Sequence, residues 1–435
     1  MRQIALINHG CAKNLVDSEL MLGKLIQNGY KITLDESKAY IVIINTCSFI
    51  HDAEKESVQS IFEMINAGKK IVITGCLPQK YKQELKELIP EALAFLGTSD
   101  IDKIVDVIKE IAGEKEIKYE VSENPQYHYP ENIQRQQITM GASSYIKIAE
   151  GCNFECGYCI IPKLRGPYIS RKIENIVKEA KELADKGVSE IVLIAQDTTS
   201  YGKDLYGKPS LKELLIELNK INNLNWIRIM YTYPSLLTDD LLETINKLDK
   251  VAKYIDVPLQ HVSRNILELM NRPVMNYKNL IRKIRKLIPY AAIRTTFIVG
   301  YPGETQEDFQ ELYDFIEEMK IDRLGVFEFS KEKNTKAYNL KPQISAKVKK
   351  QRKKQLMLLQ QNISKELNKK LIGKKLNCIV ETINEDGIIT ARSYKDAPEV
   401  DGLVFIKTNT PVIPGDIITA EITGAVEYDL TAISC

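Results

Sequence analysis

Apolar and polar positions along the chain change period several times, and each change marks an element. Continuous apolar runs at Gln3–Asn8, Ile41–Thr46 and Lys70–Thr74 predict strands covered on both faces. Amphipathic stretches lie between them. One is Leu15–Gln27, with Leu15, Leu22, Leu25 and Ile26 as its apolar positions. This alternation over residues 1–112 predicts an open parallel α/β sheet. A polar stretch around Ser122–Gln137, with Pro125 and Pro130, reads as a linker, bounded here as 113–140.

A second alternation occupies residues 141–340. Six strand patterns stand out: Ser144–Ala149, Glu190–Ala195, Trp226–Tyr231, Lys253–Pro258, Arg294–Gly300 and Arg323–Phe329. Helical patterns such as Leu211–Asn219 and Gln306–Met319 separate them. Six β–α units predict a partial barrel with its chemistry at the C-terminal strand ends. A connecting helix follows, bounded as 341–371. Its long pattern runs from Ser345 to Leu371, and Ile344, Val348, Leu359, Ile363, Leu367 and Leu371 predict one buried face. Residues 372–435 alternate with period two between the turns Glu385-Asp386-Gly387 and Pro414-Gly415-Asp416, which predicts a small β-barrel. The expected fold class is therefore α/β: an open parallel sheet, a six-unit partial barrel and a small β-barrel.

Hydrophobic residues make up 44% of the 435 positions and charged residues 27%, the balance of a soluble chain with more than one core. No apolar run approaches the roughly 18 residues of a membrane span. The expectation is a cytoplasmic protein with no membrane partner. Thiols stay reduced in that compartment, so the eight cysteines read as metal ligands, catalytic groups or core fillers rather than disulfides.

Cys152, Cys156 and Cys159 form CxxxCxxC in GCNFECGYCIIP, directly after the first strand of the six-unit series. Thiolates suit an iron–sulfur cluster or zinc. A four-iron cluster held by three thiolates leaves one iron open to a substrate. The competing readings are a zinc knuckle without a nearby fourth ligand, His128 being isolated in sequence, and plain core cysteines. The pattern resembles the radical S-adenosylmethionine superfamily. That resemblance implies an open iron that chelates S-adenosylmethionine, and one-electron cleavage to a 5′-deoxyadenosyl radical. It also implies cofactor contacts at Tyr158, before the last cysteine, at Gln196 after the second strand, and at Gly300 and Gly303 in the turn after the fifth. Packing is the alternative for Tyr158, and the last two segments depart from the superfamily's strict pattern.

Cys11, Cys47 and Cys76 each follow a predicted strand, in IALINHGC, IVIINTC and IVITGC. In a parallel sheet the three ends share one edge, where such sheets bind ligands. A second three-cysteine cluster is expected there. GCAKNLVDSE, NTCSFI, GCLPQ, GCNFECGYCIIP, DVPLQH, TTFIVGYPGE and DRLGVFEFS make residues 1–340 similar to the methylthiotransferase family, and the C-terminal β domain resembles that family's TRAM domain. The resemblance implies two 4Fe–4S clusters and replacement of C–H by C–S–CH3. It implies two uses of S-adenosylmethionine, one for the methyl group and one for the radical, with the auxiliary cluster supplying or carrying sulfur and an electron donor reducing the enzyme.

The family has two branches of interest. GCAKNLVDSE, NTCSFI and ARSYKDAPEVDGLVF resemble the RimO-type branch. That branch modifies the β-carbon of an aspartate in the twelfth small-subunit ribosomal protein. The MiaB-type branch modifies an adenosine in transfer RNA and usually carries Gln-Met-Asn after its first cysteine, where this chain has Ala12-Lys13-Asn14. The expected partner is thus a ribosomal protein, free or on the ribosome, with transfer RNA as the alternative. A noncatalytic iron–sulfur electron carrier with an RNA-binding tail is the alternative from another class. The three-cysteine sets and the large barrel oppose it.

Charge bears on the substrate. Residues 376–435 carry three basic and ten acidic side chains, net −7. Such a module is expected to repel RNA and attract a basic protein, unless its charge is only solvated surface. Asp396, Glu399 and Asp401 in SYKDAPEVDG are expected in an exposed loop. Residues 341–375 have the opposite sign, net +11, and read equally as a ribosomal-RNA contact or a solvated helix face. Cys378 and Cys435 lack partner motifs. His9, His51 and His261 are given no role, because radical hydrogen abstraction needs no base. Arg165 and Arg171 flank the cysteine loop, where capping and surface roles compete equally with substrate contact.

Overall fold

In the computed structural model the described residues are 3–112, 118–130, 134–138, 141–384, 387–408 and 410–435. Parts of the expected linker (113–117, 131–133, 139–140) and of the expected turn (Glu385, Asp386) lie outside them. The chain forms two compact units. One comprises residues 1–140, 149–155 and 159–169; the other comprises 141–148, 156–158 and 170–435.

The first unit is built on a parallel sheet. Its strands are β1 (Gln3–Asn8), β2 (Lys31–Ile32), β3 (Ile41–Thr46), β4 (Lys70–Gly75), β5 (Ala94–Leu96) and β6 (Lys118–Glu120), in the order β2-β1-β3-β4-β5-β6. Val42, Ile44, Ile71, Ile73 and Phe95 are buried in its core, which explains the unbroken apolar runs of β3 and β4. Helix α1 (Ala12–Gln27) is buried at every position from Lys13 to Gly23, while Ile26, expected on its apolar face, is exposed. The expected linker is corrected. Part of it is strand β6, and more of it packs on α1. Tyr127 donates its hydroxyl to Asp17 at 3.1 Å, Ile138 donates its N–H to Glu19 at 3.0 Å, and Arg135 pairs with Glu19 at 2.8 Å. The polar composition that suggested a linker instead serves the buried carboxylates of α1.

In the second unit the six barrel strands are Ser143–Lys147, Glu190–Ile194, Trp226–Ile229, Tyr254–Asp256, Ala292–Val299 and Arg323–Glu328. They form two parallel three-stranded sheets. A parallel bridge between Ile227 and Val251 links the third strand to the approach of the fourth, which gives a partial barrel. The C-terminal strands Lys375–Ile383, Ile388–Ser393, Val404–Lys407, Leu430–Ser434 and Ile417–Ala425 close into a barrel in that order, filled by residues such as Cys378, Val380, Ile389, Val404 and Ile422.

The loop 393–401 is not the exposed segment expected. Only Glu399 of its three acidic residues is exposed. Asp396 pairs with Arg323 at 2.5 Å, and Asp401 accepts from the Tyr254 hydroxyl at 2.5 Å. Arg392 and Arg228 both reach Glu190, at 2.6 and 2.7 Å. Burial opposes the Glu190 charge, but the two guanidinium groups hold its carboxyl down at about 2. Glu190, Tyr254 and Arg323 are the first residues of their barrel strands, so the C-terminal barrel seals that end with charge. The connecting helix spans Ala346–Lys369 and buries Arg352, Leu356, Gln360, Ile363, Ser364 and Asn368. Of the expected face only Ile363 is fully buried, because the seam is largely polar: Arg352 pairs with Glu304 at 2.6 Å and Gln360 donates to the Ile321 carbonyl at 2.9 Å.

Removing one member of a buried ion pair typically costs about 3–5 kcal/mol, whereas exposed substitutions stay within about 0.5 kcal/mol. Asp396→Ala is therefore expected to lower the denaturant midpoint clearly and Glu399→Ala to leave it in place. Equal midpoints would mean that the loop is outside the cooperative fold.

Candidate functional site

The end of a parallel strand is where the chain must turn, and β1, β3 and β4 each turn at a cysteine. The strands are neighbours in register, Asn8 beside Asn45 and Thr46 beside Gly75. The sheet order reverses at β1, so Cys11 and Cys47 flank a topological switch point and Cys76 follows on the next strand. Gly10 and Gly75 precede two of these cysteines with φ of +95° and +96°. A side chain at Gly10 would also press on Cys47, its Cβ 3.0 Å from the sulfur. Cys11 is exposed; Cys47 and Cys76 are buried.

A hydrogen-bonded frame fixes this edge. The Asn14 amide donates to the carbonyls of His9 and Thr46, each at 3.0 Å. Asn45 donates to the Asn14 carbonyl and the Ser18 hydroxyl, each at 2.8 Å. The Cys47 N–H donates to Ser57 Oγ at 3.0 Å. The frame is closed by Arg165, at the end of the short helix Ile161–Arg165 that follows Cys159. Its guanidinium pairs with Asp17 at 2.7 Å and Glu150 at 3.1 Å, donates to Asn14 Oδ1, and stands 3.9 Å from Cys76 Sγ. Ile160 and Leu164 pack against Cys76 from the same segment.

The electrostatics identify what this edge suits. Burial, reinforced by the neighbouring Cys76, pushes the Cys47 thiol up to about 12, and burial likewise raises Cys76. Bare thiols here would hold their protons. Burial opposes the Arg165 charge too, yet Glu150, Cys76 and Asp17 keep it firmly cationic. A buried cation directed at sulfur fits a metal-bound thiolate better than a neutral thiol. Among the described residues no three His, Cys, Asp or Glu side chains close around one ion-sized point. The fit of the edge to a larger iron–sulfur cluster rests on the donor set and the Arg165 cation.

The CxxxCxxC cysteines are each partly buried. Cys152 and Cys159 count with the first unit and Cys156 with the second. In the first unit, Cys152 Sγ accepts from the Phe154 N–H at 3.4 Å and the Cys152 N–H donates to the Gly166 carbonyl at 3.2 Å. In the second, Arg272 Nη1 stands 3.9 Å from Cys156 Sγ, donates through Nη2 to the Pro258 carbonyl at 2.6 Å, and stacks 4.3 Å from the Tyr233 ring centre. The neighbouring Gly157 donates to the Met270 carbonyl and accepts from the Ala337 N–H, both at 2.8 Å. Tyr158 packs against Ile266, Met270, Tyr301 and Phe329. These donors again suit thiolates.

The other sequence candidates are placed as follows. Gln196 follows the second barrel strand, half-buried, beside buried Asp197. Gly300 and Gly303 have φ of +71° and +86°. The N–H groups of Gly300 and Tyr301 donate to Glu304 Oε2, and a side chain at Gly300 would collide with Lys349. The close approach that demands glycine at 300 is therefore that of a lysine. His261 is fully buried, and burial lowers its pKa to about 3, which leaves it neutral. Cys378 fills the C-terminal barrel core and Cys435 is exposed. Sequence reasoning left the roles of Arg165 and Arg171 open; both are buried, Arg171 pairing with Glu179 at 2.7 Å. Arg272 and Glu150 escaped it altogether. The available signal was Asn14 and Asp17, polar residues about one turn apart in the helix that follows Cys11.

Comparison with known proteins gives three matching families. Residues 146–316 match the Radical SAM superfamily, residues 3–97 the uncharacterized protein family UPF0004, and residues 372–434 the TRAM domain. Two relatives named ribosomal protein uS12 methylthiotransferase RimO are similar over nearly the whole chain. That of Caldanaerobacter subterraneus subsp. tengcongensis is 49% identical, covering 99% of both chains. That of Clostridioides difficile is 48% identical, covering 99% of this chain and 98% of its own. A solved structure of the radical S-adenosylmethionine methyltransferase TsrM from Kitasatospora setae shares the fold, with TM-score 0.58, 15% identity, and coverage of 77% of this chain and 74% of that one.

Arg165→Met would strand the buried carboxylates of Asp17 and Glu150. The cluster-free protein is expected to lose about 3–5 kcal/mol of stability. Adding Asp17→Asn should recover part of that loss. Denaturant unfolding of the two variants measures it, and additive losses would mean that the residues do not act as one network.

Proposed function

The chain belongs to the RimO-type family of ribosomal protein uS12 methylthiotransferases, and on that premise we propose that it converts a C–H bond to C–S–CH3 on the β-carbon of an aspartate in the twelfth small-subunit ribosomal protein. The observation that carries this reading is the pair of three-cysteine sets, one in CxxxCxxC after the first barrel strand and one spread over three adjacent strand ends. Cys152, Cys156 and Cys159 are assigned as ligands of the cluster that meets S-adenosylmethionine. Cys11, Cys47 and Cys76 are assigned to the auxiliary cluster. When bound, these groups supply one-electron reduction, radical hydrogen abstraction and the sulfur and methyl groups.

The protein's own contribution is placement and charge. Arg272 offsets thiolate charge at Cys156 and takes its orientation from the Pro258 carbonyl and the Tyr233 ring. Arg165 does the same at Cys76. Burial of Cys47 and Cys76 keeps water from their sulfurs. Tyr158, Gln196 and the 300–303 turn remain the assigned S-adenosylmethionine contacts, with Gly300 supported least because Lys349 fills its open side. An electron donor is required. No helix among the described residues is long and apolar enough to cross a membrane, and a cytoplasmic location is part of the proposal. Residues 1–112, 141–340 and 372–435 are read as the cluster, barrel and TRAM-like domains.

Ala12-Lys13-Asn14 after the first cysteine favours the protein substrate over transfer RNA. The acidic C-terminal domain adds less support than its net charge suggested. Asp396, Asp401, Glu381 and Glu427 are engaged with Arg323, Tyr254, Arg392 and Lys365.

Two four-iron clusters require about eight irons per chain. Replacing Cys152, Cys156 and Cys159 by Ala is expected to halve the iron and abolish 5′-deoxyadenosine formation. Replacing Cys11, Cys47 and Cys76 by Ala should remove the other half, retain part of that cleavage and eliminate methylthio product in mass spectra of the ribosomal protein. Cofactor cleavage by the first variant, or unchanged iron in the second, would refute the respective assignment. Methylthio groups on transfer RNA rather than on the protein would replace the substrate.

A further inference from the structure

Residues 331–354 carry ten Lys or Arg side chains and one acidic residue, Glu332, which is buried. Lys333, Lys341, Lys347, Lys350 and Lys354 are exposed, and among the described residues none of them has an ion-pair partner. Several lysines elsewhere sit among acidic residues and pair with them: Lys208 with Glu213, Lys320 with Glu366, Lys365 with Glu427. A merely solvated surface would mix both signs, as those regions do. Here one sign extends over 24 positions.

The location of this segment is fixed by four contacts. Ala337 donates its N–H to the carbonyl of Gly157, next to Cys156, at 2.8 Å. The Gly303 N–H donates to the Pro342 carbonyl at 3.0 Å. Lys349 donates to the Phe329 carbonyl at 2.7 Å, just beyond the sixth barrel strand, and Arg352 pairs with Glu304 at 2.6 Å. All four anchors lie at the C-terminal strand ends or on the CxxxCxxC loop, so the unpaired lysines border the reactive end of the barrel. Lys347, Lys350 and Lys354 fall at i, i+3 and i+7 of the connecting helix and share one face. At about 1.5 Å of rise per residue they lie within roughly 10 Å along the axis, so they present a joint field.

A protein that binds ribosomal RNA is itself basic, and a lysine rim repels it when it is free. The same protein embedded in RNA is surrounded by phosphate, which a lysine rim attracts. Resting on the ribosomal-protein reading above, we propose that this rim grips the phosphate backbone of small-subunit ribosomal RNA, so that the target aspartate is presented to the barrel from an RNA-bound particle rather than from the free protein.

The test uses the cluster-loaded enzyme and a variant carrying Lys347→Glu, Lys350→Glu and Lys354→Glu. Lys347 lies in the first turn, where glutamate is favourable, and Lys350 and Lys354 are exposed, so the fold should be kept, as an unchanged melting temperature would verify. The control is Lys369→Glu with Lys370→Glu at the other end of the same helix. Binding to purified small subunits, free ribosomal protein and transfer RNA is measured across a salt series. The wild type should prefer subunits. The rim variant should bind them at least about tenfold more weakly at low salt, and its log–log salt slope should be shallower by about 2 to 3, since each phosphate that is no longer neutralised removes one unit or slightly less. The control should bind as the wild type does. Equal subunit binding by the wild type and the rim variant would overturn the proposal, as would a wild-type preference for free protein or transfer RNA. Mass spectrometry of the ribosomal protein keeps the two readings apart. Absence of methylthio product with wild-type enzyme fails the function proposed above, whereas product formed on subunits equally well by the rim variant fails the lysine rim alone.

Discussion

The first unit depends on one buried guanidinium. Placing a charge inside a protein costs several kcal/mol unless partners surround it, and both terminal nitrogens of Arg165 are engaged, Nη1 by Asp17 and Glu150 and Nη2 by Asn14 and Cys76. These partners come from helix α1, from the stretch before Cys152 and from the turn after β4. Two of them are held by further bonds: Asn14 to the carbonyls of His9 and Thr46, Asp17 to the Tyr127 hydroxyl. Three strand ends, the arm around Tyr127 and the exit of the CxxxCxxC loop are thereby committed to one arrangement. The cysteines of that edge acquire their spacing from polar contacts as much as from the sheet.

The parts of the fold legible in the sequence are those decided by local apolar pattern. Ile41–Thr46 and Gln306–Met319 have the same bounds in pattern and structure, because both faces of the first and one face of the second are covered. Strands β2, β5 and β6 were invisible: two or three residues carry no period, and only their pairing partners make them strands. The loop 393–401 misled for a related reason. Its polar, proline-containing composition reads as an exposed turn, but its aspartates are taken up by Arg323 and Tyr254, 73 and 147 residues away. Charge complementarity over such separations has no local signature.

The candidate site divides in the same way. Cysteines at strand ends could be located once the strands were. The arginines beside two of them could not, since Arg165 meets Asp17 across 148 residues and Arg272 meets Cys156 across 116. Gly300 shows the converse error. A glycine turn at the C-terminal end of a barrel strand suggests room for a ligand, but the room is filled by the stem of Lys349 from a helix in another part of the chain. A glycine reports that something approaches closely, without saying what.

The charged seam between the C-terminal barrel and the strands above it bears on how such a chain can diversify. Glu190 and Arg323 find their counter-charges in Arg392 and Asp396, which belong to the appended module rather than to the barrel itself. A different β-barrel recombined onto this scaffold would strand Arg323 and leave Glu190 with Arg228 alone unless it brought the same segment. Descendants with altered targets are therefore constrained to vary the outward strands of the module while inheriting its loop and the barrel floor together, as a single heritable part.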